Sequence, residues 1–318
     1  MKPKISVVIM TYKQEELIKR AIDSILTQKD YVYEICVSDD CSPDKTWEVL
    51  QDYDRRYPGL FKLNRNEPNL GIFQNVEKYW TMPTGNLIFE LAGDDEVGIG
   101  WFQKLTDFVI EHDLDCEHDC FCIYGDNKVQ YPNGDFFIKE SSLVSKGYDL
   151  MSLAIRGLIG TRAACYSKGI AIRHFCVAQG RSYVAEWAQD RQRELFAEKG
   201  YYIPATNSIY YTQIGVNVHF DEKILTEREN CFPYMKECFA RVGYQFSKKD
   251  SAYIELQGER YKSHRDKTLA HRWRIFKLKR KAKDYTFGFW TVIVKRIKRY
   301  SFALLRRLPH KKPLEWTI

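Results

Sequence analysis

The chain has 318 residues, 44% of them hydrophobic and 14% aromatic, with a formal net charge of +7. That supports one large domain or two modest ones, and nine cysteines in no regular framework argue against a disulfide scaffold and for reduced thiols. No run approaches the roughly 20 apolar residues that span a bilayer, and the apolar stretch after Lys4 is too short for a signal-peptide core.

The charge is unevenly spread. From Arg260 onward 19 basic residues face 3 acidic ones, whereas the rest of the chain holds 30 basic and 39 acidic. An acidic body with a basic tail suggests that the tail meets an anionic surface.

In chain order, Ile5–Met10 is short and rich in β-branched residues and reads as a buried strand, followed by a loop at Thr11–Gln14. Leu17, Ile18, Ala21, Ile22, Ile25 and Leu26 recur at helical spacing. A strand over 33–38, a helix with Trp47, Val49, Leu50 and Tyr53, and a break at Pro58-Gly59 follow. A short strand at 61–63, a helix with Phe73, Val76, Tyr79 and Trp80, and a strand at 86–91 complete the first 90 residues. Such strand–helix alternation predicts a doubly wound, mostly parallel α/β sheet. Farther on, the pattern predicts a helix over 101–110, a core strand at 120–124, a hairpin around Pro132-Asn133-Gly134, a helix over 184–199 ended by Gly200, strands at 201–203 and 209–211, and helices only from Asp221. There is no internal repeat and no low-complexity segment.

Two pairs of acids stand out. Asp39-Asp40 and Asp94-Asp95 each follow an apolar strand. Adjacent carboxylates repel and are costly to desolvate, so such a pair usually meets a ligand, a metal or backbone donors. In an open parallel sheet the carboxyl ends of the strands hold the ligand. No G-x-G-x-x-G follows the first strand and no G-x-x-x-x-G-K-[ST] occurs, so a nucleotide would bind through these carboxylates, by hydrogen bonds to base and ribose and by a divalent cation on the diphosphate.

Order and spacing over roughly the first 110 residues carry a resemblance. The matching segments are Val7–Tyr12, Ile22–Gln28, Ser38–Thr46, Asn69-Leu70-Gly71 with Asn75, and Gly85–Phe89 with Gly93-Asp94-Asp95. On these the chain resembles the family 2 glycosyltransferases. The resemblance implies a GT-A fold: a doubly wound, mostly parallel α/β sheet, here with a C-terminal all-helical basic extension. It implies transfer of a sugar, of hexosyl type, from a nucleotide diphosphate sugar (UDP favoured) with inversion and with a divalent cation, Mn or Mg. Thr11 and Tyr12 then line the donor base, Asp40 with Asp39 beside it recognises the base, and Asn69, Gly71 and Asn75 belong to the donor side. Asp94 and Asp95 divide the ribose and the metal, with Asp95 favoured for the metal. Ala92 stands where many members place a further acid.

For the general base the resemblance points to the helix before Gly200. Asp190, ten residues ahead of that glycine, is favoured, with Gln189 where Glu is usual; Glu186, one turn earlier on the same face, is the rival. His219 is a candidate near the diphosphate or metal. Plainer readings stand beside these. Asp39, Asp40, Ser42 and Asp44 could cap the second helix, Asp94 and Asp95 could form a solvated turn, and Glu186 and Asp190 could be surface acids paired with Arg191 or Arg193. His112, Cys116, His118, Cys120 and Cys122 lack the paired knuckles of structural zinc and read as buried thiols beside ordinary histidines.

Residues 272–312 alternate basic clusters with an apolar stripe of Phe287, Trp290, Val294, Ile297, Leu304, Leu305 and Leu308. Such a helix suits an anionic bilayer surface; no recognition module supports nucleic acid. The expectation is a catalytic domain over 1–220 (nucleotide half 1–110, acceptor half 111–220) and a helical region over 221–318 whose tail holds the enzyme on the cytoplasmic face of the membrane, beside a lipid-linked or cell-surface glycan acceptor of the lipopolysaccharide or capsule kind. Self-pairing of the tail into a homodimer is open. Two rivals are a nucleotidyltransferase, which would carry a Gly-rich, Arg-bearing loop in place of Thr11–Gln14, and a catalytically vestigial membrane-associated partner, for which Ala92 and Gln189 speak.

Overall fold

The computed structural model describes residues 2–161, 163–171, 193–212, 214 and 222–283, with side chains at 223, 224, 227 and 228 left aside. Their core is one nine-stranded sheet of order β3-β2-β1-β4-β8-β6-β9-β5, with β7 hydrogen-bonded to β6. The strands are β1 (Ile5–Thr11), β2 (Val32–Asp39), β3 (Phe61–Arg65), β4 (Leu87–Ala92), β5 (Glu96–Val97), β6 (Phe121–Gln130), β7 (Phe136–Lys139), β8 (Cys165–Ser167) and β9 (Lys199–Tyr211).

The nucleotide half is built as its sequence dictates. β1 pairs in parallel with β2 on one side and β4 on the other, and β2 with β3. A strand buried on both faces needs an unbroken apolar run, and Ile5, Val7, Val8 and Ile9 are all fully buried. Helices cover both faces: α1 (Leu17–Leu26), α2 (Thr46–Arg56), α3 (Ile72–Tyr79) and α4 (Trp101–Glu111). Ile18, Ala21, Ile22 and Ile25 of α1 share a core with β1, β2 and β4, while Val76 and Tyr79 of α3 join the core on the other face.

At the amino-terminal edge of the sheet Glu34 is buried among Ser6, Thr84 and Lys62, its Oε1 accepting from Ser6 Oγ at 2.7 Å and its Oε2 paired with Lys62 at 2.6 Å. Burial alone would raise this carboxyl; the Lys62 ammonium and the hydroxyl and amide donors outweigh it and hold the group below its ordinary value. A carboxyl depressed on folding stabilises the protein above its unfolded pKa and loses that contribution as pH falls through its folded pKa. Glu34→Gln is therefore expected to flatten the fall in melting temperature between about pH 6 and about pH 3; coincident acid slopes for variant and wild type would count against this role.

The second half differs from the expectation in instructive ways. The strand beginning near Cys120 continues to Gln130, and the predicted hairpin is present as β6 and β7. The helix expected to end at Gly200 stops sooner: residues 193–196 are helical, and Lys199 already opens β9, which merges the two predicted strands. Gly200 is needed for close approach rather than as a helix stop, because a Cβ there would lie 2.9 Å from Val144 and 3.1 Å from Leu150. The expectation missed β5 and β8 because strands of two and three residues carry no periodicity of their own. β8 runs antiparallel to both β4 and β6, which makes β6 and β9 parallel to β1.

Beyond the sheet the described residues are helical, as the sequence predicts: α5 (Leu150–Ile155), α6 (Lys168–Ala171), α7 (Glu222–Arg241), α8 (Lys248–Lys262) and α9 (Leu269–Ala282). α7 and α8 are anchored to the nucleotide half through a core that joins Phe73 of α3, Met151 and Ile155 of α5, and Met235, Phe239 and Ile254. Arg156 fastens the far end, pairing with Asp250 at 2.8 Å and donating to the Ala282 carbonyl at 2.5 Å. Leu278 and Ala282 of α9 pack on Ala252 and Leu256 of α8. Cys116, Cys120 and Cys122 are buried, and burial pushes the Cys116 thiol up to about 12; His118 is an exposed partner of Asp115.

Candidate active site

The strand register brings the two acid pairs to one edge. Thr11 at the end of β1 lies opposite Asp39 of β2, and Met10 lies opposite Ala92 of β4. β2 and β4 flank β1, so their carboxyl ends stand about 10 Å apart, two strand spacings, with the Thr11-Tyr12 turn between them. This is the crevice where an open parallel sheet binds its ligand.

The turn after β1 is pinned to the start of α2. Lys13, at φ +56°, donates its N–H to Ser42 Oγ at 2.9 Å, and Gln14 N donates to Thr46 Oγ1 at 2.9 Å. Thr11 is buried and its hydroxyl donates to Gln14 Oε1 at 2.8 Å. Tyr12 is 41% exposed and offers its ring to the crevice edge. Asp44 has the plain capping role: its carboxylate accepts from Thr46 Oγ1 at 2.6 Å and Thr46 N at 3.2 Å.

The first pair is deeply set. Asp39 is fully buried, accepts from the Ser42 hydroxyl and from Ser42 N at 3.1 Å, and lies 3.5 Å from Arg65 Nε. Burial pushes its carboxyl above the ordinary range, against the lowering pull of Ser42 and Arg65. Asp40, 3% exposed, accepts from Asn66 Nδ2 at 2.9 Å, Leu70 N at 2.8 Å and Gly71 N at 2.9 Å, and its carbonyl accepts from Asn69 Nδ2 at 2.6 Å. The carboxylate thus sits at the amino end of α3 and organises the 66–71 loop. Asn75 is buried inside this knot, bonded to Ser38 and Asn66. The sequence reading gives Asp40 and Asn75 to the donor; here the side chains of both are engaged in holding the loop that bears Asn69 and Gly71.

The second pair rides on a tight turn. Asp95 N donates to the Ala92 carbonyl at 3.1 Å. Gly93 has no room for a side chain, since a Cβ would meet Gln14 Oε1 at 2.4 Å and the Met10 carbonyl at 3.0 Å. The turn is thereby pressed against the end of β1. Asp94 is half-buried and Asp95 is 3% exposed. Among the described residues no group of three or more His, Cys, Asp or Glu could hold a metal alone. Two carboxylates still fit a Mg- or Mn-type ion, which takes hard oxygen ligands and commonly binds one or two carboxylates together with substrate phosphates.

Three residues of the chemical reading, Glu186, Asp190 and His219, lie outside the described residues. The sequence reading gave no role to Arg20, Ser24, Gln28 or Arg65. At the opposite edge of the sheet, at the start of β9, a cavity of about 780 Å³ is lined by Phe108, His112, Tyr148, Glu198, Tyr201 and Tyr202, none of them among the predicted site residues.

A mostly parallel, helix-covered sheet with acids at the carboxyl ends of two near-neighbour strands defines a nucleotide-binding α/β enzyme. The family model described as glycosyl transferase family 2 matches residues 6–179, more than half of the sequence, and the chain belongs to that family. The curated relatives agree: putative glycosyltransferase EpsE of Bacillus subtilis is 31% identical over 110 residues, covering 35% of this chain and 40% of EpsE. Chondroitin synthase of Escherichia coli is 24% identical over 250 residues, covering 77% of this chain and 34% of the synthase. The curated relatives matched here are longer than the shared stretch, which spans from 26% to 42% of their length. Among solved structures, S. aureus TarS 1–349 superimposes with a TM-score of 0.57 at 13% identity, covering 88% of this chain and 80% of that one. The same protein in complex with UDP-GlcNAc gives 0.56 at 14% identity, covering 86% and 79%. The fold is that of the GT-A glycosyltransferases, and the chain is a glycosyltransferase.

Proposed function

We propose that this glycosyltransferase transfers a sugar from a nucleotide diphosphate sugar, UDP-linked first among the candidates, to a hydroxyl of a lipid-linked or cell-surface glycan, with inversion. The observation that carries the reading is the convergence of Asp39-Asp40 and Asp94-Asp95 on the two sides of Thr11-Tyr12. TarS binding UDP-GlcNAc supports the uridine nucleotide, and the likeness to a chondroitin synthase supports a glycan acceptor.

In this reading the nucleoside lies over the Thr11-Tyr12 turn, with Tyr12 as its exposed aromatic wall and Asp39 at the base edge. Asp40 and Asn75 shape the 66–71 loop, which brings Asn69 and Gly71 to the donor. Asp94 faces the ribose, and Asp95 with Asp94 would hold the divalent cation, with His219 a further candidate ligand. The cation, when bound, neutralises charge on the leaving diphosphate. Inverting transfer needs a carboxylate to take the proton of the acceptor hydroxyl as it attacks the anomeric carbon. Asp190 takes that role, and Glu186 borders the same site. Asp190→Asn is expected to keep donor affinity and to lose transfer by about 10²-fold or more. If Asp190→Asn transfers normally while Glu186→Gln does not, the assignment passes to Glu186.

Residues 1–220 form the catalytic unit and 221–318 the helical region. No helix among the described residues is long and apolar enough to cross a membrane. The enzyme is held peripherally on the cytoplasmic face by the basic, apolar-striped stretch beyond residue 283. α9 is packed against α8, so the informative truncation follows Lys283 and leaves the packed helices intact. The full chain is expected to pellet with vesicles containing anionic lipid and the truncated chain to stay in the supernatant; equal pelleting would remove the tail from this role.

A further inference from the structure

The segment Ile22–Gln28 matches the family, yet the donor site leaves it without a task. Its polar side chains have one in the structure. Arg20, Ser24 and Gln28 are spaced four apart and share one face of the α1 region, and all three reach the backbone of the stretch that carries the second acid pair. Arg20 Nη2 donates to the Asp94 carbonyl at 2.5 Å. Ser24 Oγ accepts from Val97 N at 3.0 Å. Gln28 donates through Nε2 to the Gly98 carbonyl at 3.0 Å and accepts through Oε1 from Phe102 N at 3.0 Å.

The same stretch is gripped from the other side by β9. Glu96 and Val97 pair with Ile209 and Ser208, and Gly98 N donates to the Asn207 carbonyl at 2.9 Å. Arg20 links the two supports. Its Nε lies 3.1 Å from Glu96 Oε1, its guanidinium stacks 3.7 Å from the Tyr211 ring centre, and the Tyr211 hydroxyl donates to the same Glu96 oxygen at 2.6 Å. The residue types suit the task. A guanidinium can donate, ion-pair and stack at once, and an amide is the uncharged side chain that donates to a carbonyl while accepting from an N–H.

We propose that Arg20, Ser24 and Gln28, with Glu96 and Tyr211, are positioning residues that set the turn carrying Asp94 and Asp95 and so hold the acid pair ready for the cation-bridged diphosphate. The second half of this statement rests on the donor reading above; the first half does not. A carboxylate pair on a two-residue turn holds its geometry only if the backbone beneath it is fixed, and supporting groups of this kind typically change metal affinity by about 10- to 100-fold when removed.

The test uses the full chain and two readouts: amide hydrogen exchange over residues 94–98, and calorimetric titration with UDP in the presence and absence of manganese. Arg20→Gln and Gln28→Leu are expected to speed exchange across 94–98 by about tenfold or more and to cut the manganese-dependent gain in UDP affinity by about tenfold, with UDP affinity in the absence of metal unchanged. Ser24→Ala, a milder change that guards against loss of folding, is expected to do the same to a smaller degree, and Ser24→Thr to restore it. Unchanged exchange over 94–98 in these variants overturns the positioning role, as does an undiminished manganese gain in variants whose exchange has risen. A wild-type chain with no manganese gain overturns the donor reading instead, and the exchange rates then decide whether this face of α1 sets the turn.

Discussion

Asp95→Ala abolishes the manganese-dependent part of UDP binding and leaves a folded protein: that is the expected result with the largest functional effect. The side chain sits almost wholly inside the turn after β4, beside another carboxylate. Two adjacent acids held together in a half-buried turn carry mutual repulsion and a desolvation cost, so the pair is an expense to folding unless a cation or donors offset it. Removing one carboxylate takes away a hard oxygen ligand that a Mg- or Mn-type ion needs alongside substrate phosphates. The melting temperature is expected to stay within about 3 °C of wild type, less than a 1–2 kcal/mol loss would cause in a chain of this size. Calorimetry with UDP and manganese checks the first half and thermal unfolding the second. A variant that keeps the full manganese gain would take Asp95 out of the metal site.

Asp40→Ala should behave in the opposite way, losing stability and donor affinity together. Its carboxylate accepts from two backbone amides and one side-chain amide, and these bonds tie the 66–71 loop and the start of α3 to the end of β2. Hydrogen bonds to a charged group contribute about 1.5–3 kcal/mol each, and water partly replaces them where the loop is half-exposed. A net loss of about 3 kcal/mol follows, a fall in melting temperature of roughly 5–10 °C. Donor affinity should drop with it, because Asn69 and Gly71 ride on the freed loop. If Asp40 instead read the base directly through a spare carboxylate oxygen, Asp40→Ala would weaken UDP binding without a change in melting temperature. The pairing of the two readouts separates these accounts.

Much of the nucleotide half is legible in the sequence because its physics is local. A strand buried on both faces must be an apolar run, and α1 must be apolar at helical spacing. The acid pairs are legible because nothing in a strand end calls for two adjacent carboxylates. What stays hidden depends on distant partners. β5 and β8 are too short to show a period, and each exists only because a neighbouring strand supplies its hydrogen bonds. Gly200 looks like a helix terminator, whereas Val144 and Leu150 are what exclude a side chain there. Arg20, Ser24 and Gln28 look like a solvated helix face, and only the fold reveals that this face meets the loop after β4. Asp40 is the subtler case: its place at the site edge follows from sequence, but its three N–H donors come from residues 26 to 31 positions away.

The account turns on whether the carboxyl ends of β2 and β4 form a single nucleotide site around Thr11-Tyr12. A crystal structure of the full chain soaked with UDP and manganese tests this most directly. The expected result is a uracil against Tyr12 and the Asp39 edge, with the manganese anomalous signal on the Asp95 carboxylate between protein and diphosphate. A nucleotide bound elsewhere, for instance in the cavity beside Tyr201 and Tyr202 at the opposite edge of the sheet, with no metal at Asp95, would contradict it.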